Sequence, residues 1–369
     1  MPISSDRSAF KRDRSTFGRD HSALPRHRSA LQRDRAASGG SRAVSGPDRA
    51  ASRRAEALGM LAGVALDAVL ADPRRGHPVA LFGRAAAALE RRVYGDARTD
   101  GALYTVLCVG PAALLGLAVT RVENPLARGV LSAVATWSVL GGTTLGREGV
   151  AMAELLEADD LTGARRRLSH LCGRDPSLLQ TPGLARATVE SIAENTSDAV
   201  VAPLFWGAVA GVPGLLAYRA INTLDAMVGH RSSRYERFGW ASARLDDVAN
   251  FVPARITGVL TALGAPLTGG SVRRAVAVLR KDGHRHPSPN AGRCEAAFAG
   301  ALDVTLGGIN VYGDRVEHRP EMGDGPKPSV KDIRRSVRLA RAVGLAAAGL
   351  AVLAALPGPR RWLRGPGGI

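Results

Sequence analysis

Apolar residues in this chain run in long uninterrupted blocks rather than in amphipathic stripes. Five windows carry no charged residue: Gly101–Thr120, Gly129–Gly146, Ala199–Tyr218, Ile256–Val272 and Ala342–Pro359. Each has the length of a bilayer-crossing helix, which takes about 20 mostly apolar residues and ranges over about 17–25. A core helix of a soluble protein turns one face to water and acquires charges there. Five such windows therefore predict an all-α fold, a multi-pass α-helical integral membrane protein with polar catalytic loops between its spans. A sixth, shorter candidate, Ala57–Leu70, is interrupted by Asp67. The windows are rich in Ala and Gly, which lets membrane helices approach closely.

Ala199–Tyr218 is unlike the others, because Gly211, Pro213 and Gly214 interrupt it and break a helix. It predicts a kinked span or a re-entrant helical hairpin. A single crossing would leave the polar segments on its two flanks on opposite sides of the membrane. A hairpin brings them together, and the hairpin is the favoured reading.

Residues 1–59 have a different texture, rich in Arg, Ser, Ala and Asp, with a degenerate repeat (Asp6-Arg-Ser-Ala, Asp13-Arg-Ser-Thr, Asp20-His-Ser-Ala). Such a tract buries too little apolar surface to offset its ordering entropy. It is expected to be a disordered basic extension, with residues 60–369 as the membrane-embedded domain and Met60 as an alternative start.

The formal net charge of +17 first suggests nucleic acid as a partner. Two observations argue against it. Only four of the 50 basic residues are lysines, and 13 Lys+Arg against 6 Asp+Glu in residues 1–59 place +7 in the extension. The rest lies in loops between spans, where it suits bilayer orientation and anionic substrates. Three widely spaced cysteines, Cys108, Cys172 and Cys294, exclude a disulfide scaffold and a CxxC zinc or redox site.

Four polar segments carry candidate chemistry. Leu66–Val79 places Asp67 inside an apolar run and follows it with Asp72-Pro73 and His77-Pro78. An ionisable residue at membrane depth is a functional candidate. Glu190-Ser-Ile-Ala-Glu-Asn-Thr-Ser-Asp198 puts Glu190, Glu194 and Asp198 at i, i+4 and i+8 on one helical face. No arginine interrupts 189–204, and three acids beside an apolar segment suit a hard cation or a polar substrate. The third segment runs from Tyr218 to Arg255. There Asn222 shares a face with Asp225, and Asp246 with Asn250, amid Arg231, Arg234, Arg237 and Arg244. Carboxylates among arginines are what a magnesium–phosphate site requires. The fourth is His286-Pro-Ser-Pro-Asn-Ala-Gly292, whose turns expose backbone N–H groups. No Walker A, GxGxxG, HExxH or GxSxG motif is present.

Together these segments resemble the adenosylcobinamide-phosphate synthase family, the CobD/CbiB proteins of cobalamin biosynthesis. The resemblance covers about Leu58 to Leu356. It is carried by Glu190–Asp198, Asn222-Thr-Leu-Asp-Ala-Met-Val-Gly229, Phe238-Gly-Trp-Ala-Ser-Ala-Arg-Leu-Asp-Asp247, Ser288-Pro-Asn-Ala-Gly292 and Asp72-Pro73 with His77-Pro78-Val79. His230 and Arg293-Cys294 depart from the family pattern.

The resemblance implies a multi-pass cell-membrane enzyme acting on a corrinoid, adenosylcobyric acid. It joins the ring-D propionate to aminopropanol or its phosphate as an amide, with ATP as a possible co-substrate and other cobalamin-pathway enzymes as possible partners. For that chemistry, Glu190, Glu194 and Asp198 are the catalytic candidates, and Asp225, Asp246 and Asp247 are assigned to Mg2+. His77, Asn195, Asn222, Arg231, Arg234, Arg244, Arg255 and Asn290 are assigned to substrate or phosphate. A competing reading is a Mg2+-dependent membrane transferase acting on a lipid diphosphate, suggested by Asn222-x-x-Asp225 and Asp246-Asp247. A transporter or channel subunit would need its polar residues within the spans, whereas here they cluster outside.

Overall fold

The computed structural model describes residues 46–73, 76–312 and 315–356. It is all-α apart from one β-hairpin. Helices α1 (Gly46–Leu70), α2 (Pro78–Val93), α3 (Arg98–Thr120), α4 (Pro125–Val139), α5 (Gly142–Glu157) and α6 (Leu161–Leu168) lead to α7 (Thr181–Thr196) and α8 (Ala202–Leu224). Then come α9 (Trp240–Ala249), α10 (Phe251–Gly264), α11 (Val272–Asp282), α12 (Ala291–Leu302), strands β1 (Leu306–Tyr312) and β2 (Arg315–Met322), and α13 (Val330–Ala355). Among the described residues four helical stretches are long and apolar enough to cross a membrane: Arg98–Thr120, Thr181–Gly229, Phe251–Thr268 and Val330–Ala355.

The window at Gly129–Gly146 is not one span. It is divided between α4 and α5 where Leu140 turns extended and the Gly141 N–H donates to Ala199 O at 3.1 Å. The break is stabilised from α1, whose Asp67 Oδ2 accepts from Thr143 N and Oγ1 at 3.1 and 3.0 Å. Asp67 therefore caps the start of α5 from another helix, satisfying N–H groups that have no partner within it. That structural task accounts for an acid in an apolar run.

Helix α1 also begins earlier than expected. Residues 46–59, read as part of the disordered extension, are helical, while 1–45 lie outside the described residues. An Ala-rich stretch favours helix, and tertiary contacts hold it. Gly59 and Gly63 form a small-xxx-small step that brings α1 onto the backbone and small side chains of Gly129, Ser132 and Thr136 in α4. Glu56 pairs with Arg128 at 3.6 Å.

The segment at Ala199–Tyr218 is a hairpin. Gly211 takes φ 64° and ψ −157°, and the helical arms on either side fold back on each other. Asn222 Nδ2 comes within 3.3 Å of Asp198 Oδ2, 24 residues away. In an unbroken helix the two would be about 36 Å apart. The largest buried cluster joins α5, α7, α12 and α13 around Ile192, Phe298, Leu302, Ile333 and Leu339. It forms the platform from which the hairpin arms emerge.

Candidate active site

Each hairpin arm meets its polar motif through one turn of π-helix, Ser197–Val201 before α8 and Asp225–Gly229 after it. Such turns widen the helix by one residue and re-aim side chains, often at functional sites. Asp198 lies in the first turn and Asp225 opens the second. Asn222 bridges the motifs, its Nδ2 3.3 Å from Asp198 Oδ2 and 3.4 Å from Asp246 Oδ1 of α9. Asn250 Nδ2 donates to Asp246 Oδ2 at 2.9 Å, and the Tyr218 hydroxyl donates to Asn250 Oδ1 at 2.8 Å. Trp206 Nε1 ties the first arm to Ala249 O at 3.0 Å. Asp246, outside the apolar spans, is pushed up to about 7 by burial and then by the Asp225 charge.

Glu194 joins this group one turn before the π-turn. It is exposed to solvent and opens onto the cleft that these carboxylates line. It acts electrostatically on both Asp198 and Asp225, and among the described residues its carboxylate has no hydrogen-bonding or ion-pair partner. Cleft carboxylates from three distant segments thus face one another, bridged by the Asn222 and Asn250 amides, with the Arg219 charge acting on Asp198 and the Arg319 charge on Glu194.

Glu190 does not belong to the cleft, despite sharing the predicted face. It is buried, 2.6 Å from Arg174 Nη2, and accepts from Gly307 N at 2.8 Å, with Arg186 Nε at 3.9 Å. Its Oε1 fixes β1 to α7 and its Oε2 holds Arg174, so neither oxygen is free to act as a general base. An isolated two-stranded hairpin is marginal by itself; Arg186 adds bonds to Gly307 O, to Ile309 O and to Asn310 Oδ1.

The remaining assignments divide. Asn195 Nδ2 turns back to Ser191 O at 2.9 Å on its own helix, away from the bridging amides. Arg234 is a clamp: it pairs with Glu90 at 3.0 Å and stacks 3.9 Å from the Tyr94 ring centre, pinning the 230–239 loop to α2. Arg231 is exposed on that loop. Asp246 is held by Asn222 and Asn250, whereas Asp247 pairs with Arg244 at 3.5 Å; burial raises Asp247 and Arg244 opposes the shift, while the Asp247 charge acts in turn on Asp225 and Asp246. Asn290 fastens the fourth motif to the third, donating to Asp247 O at 2.8 Å and accepting from Arg255 Nη1 at 3.2 Å. Among the described residues no three His, Cys, Asp or Glu side chains converge as a preformed metal cage.

On the cleft's other rim His77 caps α2, its Nδ1 accepting from Val79 N at 3.2 Å. That acceptor role leaves Nε2 as the protonated nitrogen, 3.4 Å from Asp72 Oδ1. Arg219, between Asp72 and Asp198, attracts both. The sequence assigns no role to Arg219, Tyr218 or Asn250, all of which lie within the third polar segment. The available signal was spacing: Tyr218 lies one turn before Asn222, and Asn250 one turn after Asp246.

The model of the CobD/Cbib protein family matches residues 60–340. A cobalamin biosynthesis protein CobD of Mycobacterium tuberculosis (strain CDC 1551 / Oshkosh) is 56% identical over 300 residues, covering 81% of this chain and 96% of the relative. The protein of that name from Geobacter metallireducens is 46% identical over 276 residues, 73% and 87% of the two chains. The one from Rhodobacter capsulatus is 44% identical over 292 residues, 76% and 92%. No solved structure matches. The matched region contains every residue of the cleft, and the chain belongs to the CobD/Cbib protein family.

Proposed function

We propose that this chain is an amide-forming ligase of cobalamin biosynthesis that converts adenosylcobyric acid to adenosylcobinamide or its phosphate. The observation that carries this reading is the convergence of Glu194, Asp198, Asn222, Asp225 and Asp246 in one cleft at the base of the hairpin. An amine arrives as an ammonium ion, and a carboxylate-lined cleft attracts it. The amine must then lose a proton before it attacks. Glu194, accessible and unpaired, is the base that takes it. The corrin carboxylate is activated as an acyl phosphate: its oxygen attacks the terminal phosphorus of ATP and ADP departs. The deprotonated amine then attacks the acyl carbon and phosphate leaves.

Mg2+ takes one or two carboxylates and fills its remaining positions with water and phosphate. Asp225 and Asp246 fit that donor set. Among the described residues neither has a cationic partner, and the Asp225 charge raises the cost of ionising Asp246. Bound there, the ion would neutralise phosphate charge. Arg244 and Arg255, beside Asp247 and Asn290, are the candidates for holding anionic groups, whereas Arg234 pairs with the buried Glu90.

The test is complementation of a strain unable to convert cobyric acid to cobinamide, with a parallel assay in membranes. Glu194→Gln should abolish product formation while membrane insertion and amount stay unchanged. An active Glu194→Gln enzyme would remove Glu194 as the base.

A further inference from the structure

Helices α9 and α10 meet at Asn250, whose backbone (φ −87°, ψ −7°) stays close to helical. Helical register therefore continues across the joint. Trp240, Arg244, Asp247, Phe251 and Arg255 follow at i, i+4, i+7, i+11 and i+15 and share one face. All five reach solvent. Trp240 and Phe251 are 42% and 51% exposed, the only exposed Trp or Phe among the described residues. A guanidinium lies against each ring, Arg98 at 5.2 Å from the Trp240 centroid and Arg255 at 3.5 Å from that of Phe251.

This face does not have the character of a lipid-facing stripe. Such a stripe exists on α10, where Val252, Val259 and Leu263 are exposed and charge-free, and it lies about 100° further around the helix. Acyl chains would take the charges of Arg244, Asp247 and Arg255 out of water at a large cost. The aromatic face instead borders the cleft, since Asp246, next to Asp247, bonds inward to Asn250 and Asn222. Its two rings are about 16 Å apart along the axis. A macrocycle with peripheral side chains bridges that separation; a small amine does not.

We propose that the Trp240–Arg255 face is the docking surface for the flat macrocycle of the carboxylate substrate. Trp240 and Phe251 contact its ring and side chains, and Arg244 and Arg255 donate to the carbonyl oxygens of its peripheral amides, leaving the carboxylate to reach the adjoining cleft. The inference rests on the corrinoid reading of the function. It adds that specificity for the large substrate resides on α9–α10, apart from the carboxylates that receive the amine.

The experiment uses the full chain in lipid nanodiscs with cobyric acid as probe, followed by binding titration and by steady-state kinetics with aminopropanol. Trp240→Ala and Phe251→Ala should each weaken cobyric acid binding and raise its KM about tenfold. The KM for aminopropanol and kcat should stay within about twofold. Trp240→Phe, which keeps a ring, should restore most of the affinity, and Val259→Ala on the neighbouring stripe should change nothing. Unchanged cobyric acid affinity in both alanine variants overturns the docking surface, as does an equal rise in both KM values. A wild-type protein that binds no cobyric acid overturns the corrinoid reading itself, and this inference with it.

Discussion

His77 and His286 each precede a proline, and their imidazoles are fixed in the same way. Each Nδ1 accepts from the backbone N–H two residues on, Val79 at 3.2 Å and Ser288 at 3.0 Å. Each Nε2 then points to a carboxylate, Asp72 at 3.4 Å and Glu295 at 3.8 Å. His286 is buried deeper, and burial followed by the Arg319 charge lowers it from 6.5 to about 4. The unfolded chain takes up a proton at this residue near pH 6.5, whereas the folded chain resists until about pH 4. Stability from His286 is therefore complete above pH 6.5 and is lost as pH falls toward 4, by at most about 3 kcal/mol. Glu295 is shifted the other way, raised by burial and by Glu190 and Glu194, and loses stability as pH rises from its ordinary range. Comparing thermal melts of wild type and His286→Gln at pH 5 and pH 7 isolates the histidine. The variant should lose part of the acid destabilisation, and identical pH dependence would remove His286 as its source. The same scale shows where spacing misled. Glu190, Glu194 and Asp198 repeat at one helical turn, yet Glu190 is consumed by Arg174 and Gly307, partners 16 and 117 residues away.

At the scale of elements, the hairpin at Gly211 decides whether a site exists. Its φ of 64° with ψ of −157° lies in a region that only glycine occupies without strain. A Cβ there would meet only Glu56 Oε2 and Pro213 Cδ at 3.7 Å, so the obstacle to a side chain is torsional rather than steric. Gly211→Ala should cost about 1–3 kcal/mol. It should also lower product formation sharply, because splaying the arms parts Asp198 from Asn222. A variant with wild-type melting temperature and activity would show that the reversal does not depend on this torsion. The glycine and proline pattern made the hairpin legible in the sequence. The break between α4 and α5 was not legible, since Leu140 and Gly141 resemble the rest of their window. That break depends on Asp67 and Ala199, contributed by other helices.

At the scale of the whole molecule, helix ends fall into two groups. The α3 N-terminus packs at Gly101 against Phe238, on the side of the polar loops, while Gly116 near its C-terminus meets Val212 and Pro213 at the hairpin tip. The acidic motifs thus share one end of the bundle, and the α3–α4 turn shares the other with the tip. With Cys172 replaced as the accessible native cysteine, Ser177→Cys and Ser233→Cys should react with an impermeant thiol reagent from one side of the membrane. Glu123→Cys should react from the other. Labelling of Ser177→Cys and Ser233→Cys from opposite faces would contradict the hairpin topology.

The sequence by itself determined that the chain is helical and multi-pass, tied it to the CobD/Cbib family through its polar motifs, and marked one apolar window as either a kinked span or a reversal. These follow from local composition, because the absence of charge over a helix length and a glycine–proline interruption are properties of contiguous residues. Only the tertiary structure decided which charged side chains meet one another. Asp198, Asn222 and Asp246 converge because two π-turns and a torsion at Gly211 aim them inward. Glu190 and Arg234, equally prominent in the sequence, are bound by buried or half-buried partners. A carboxylate's role depends on whether a cation reaches it through space, and that distance is set by packing between segments far apart in the chain.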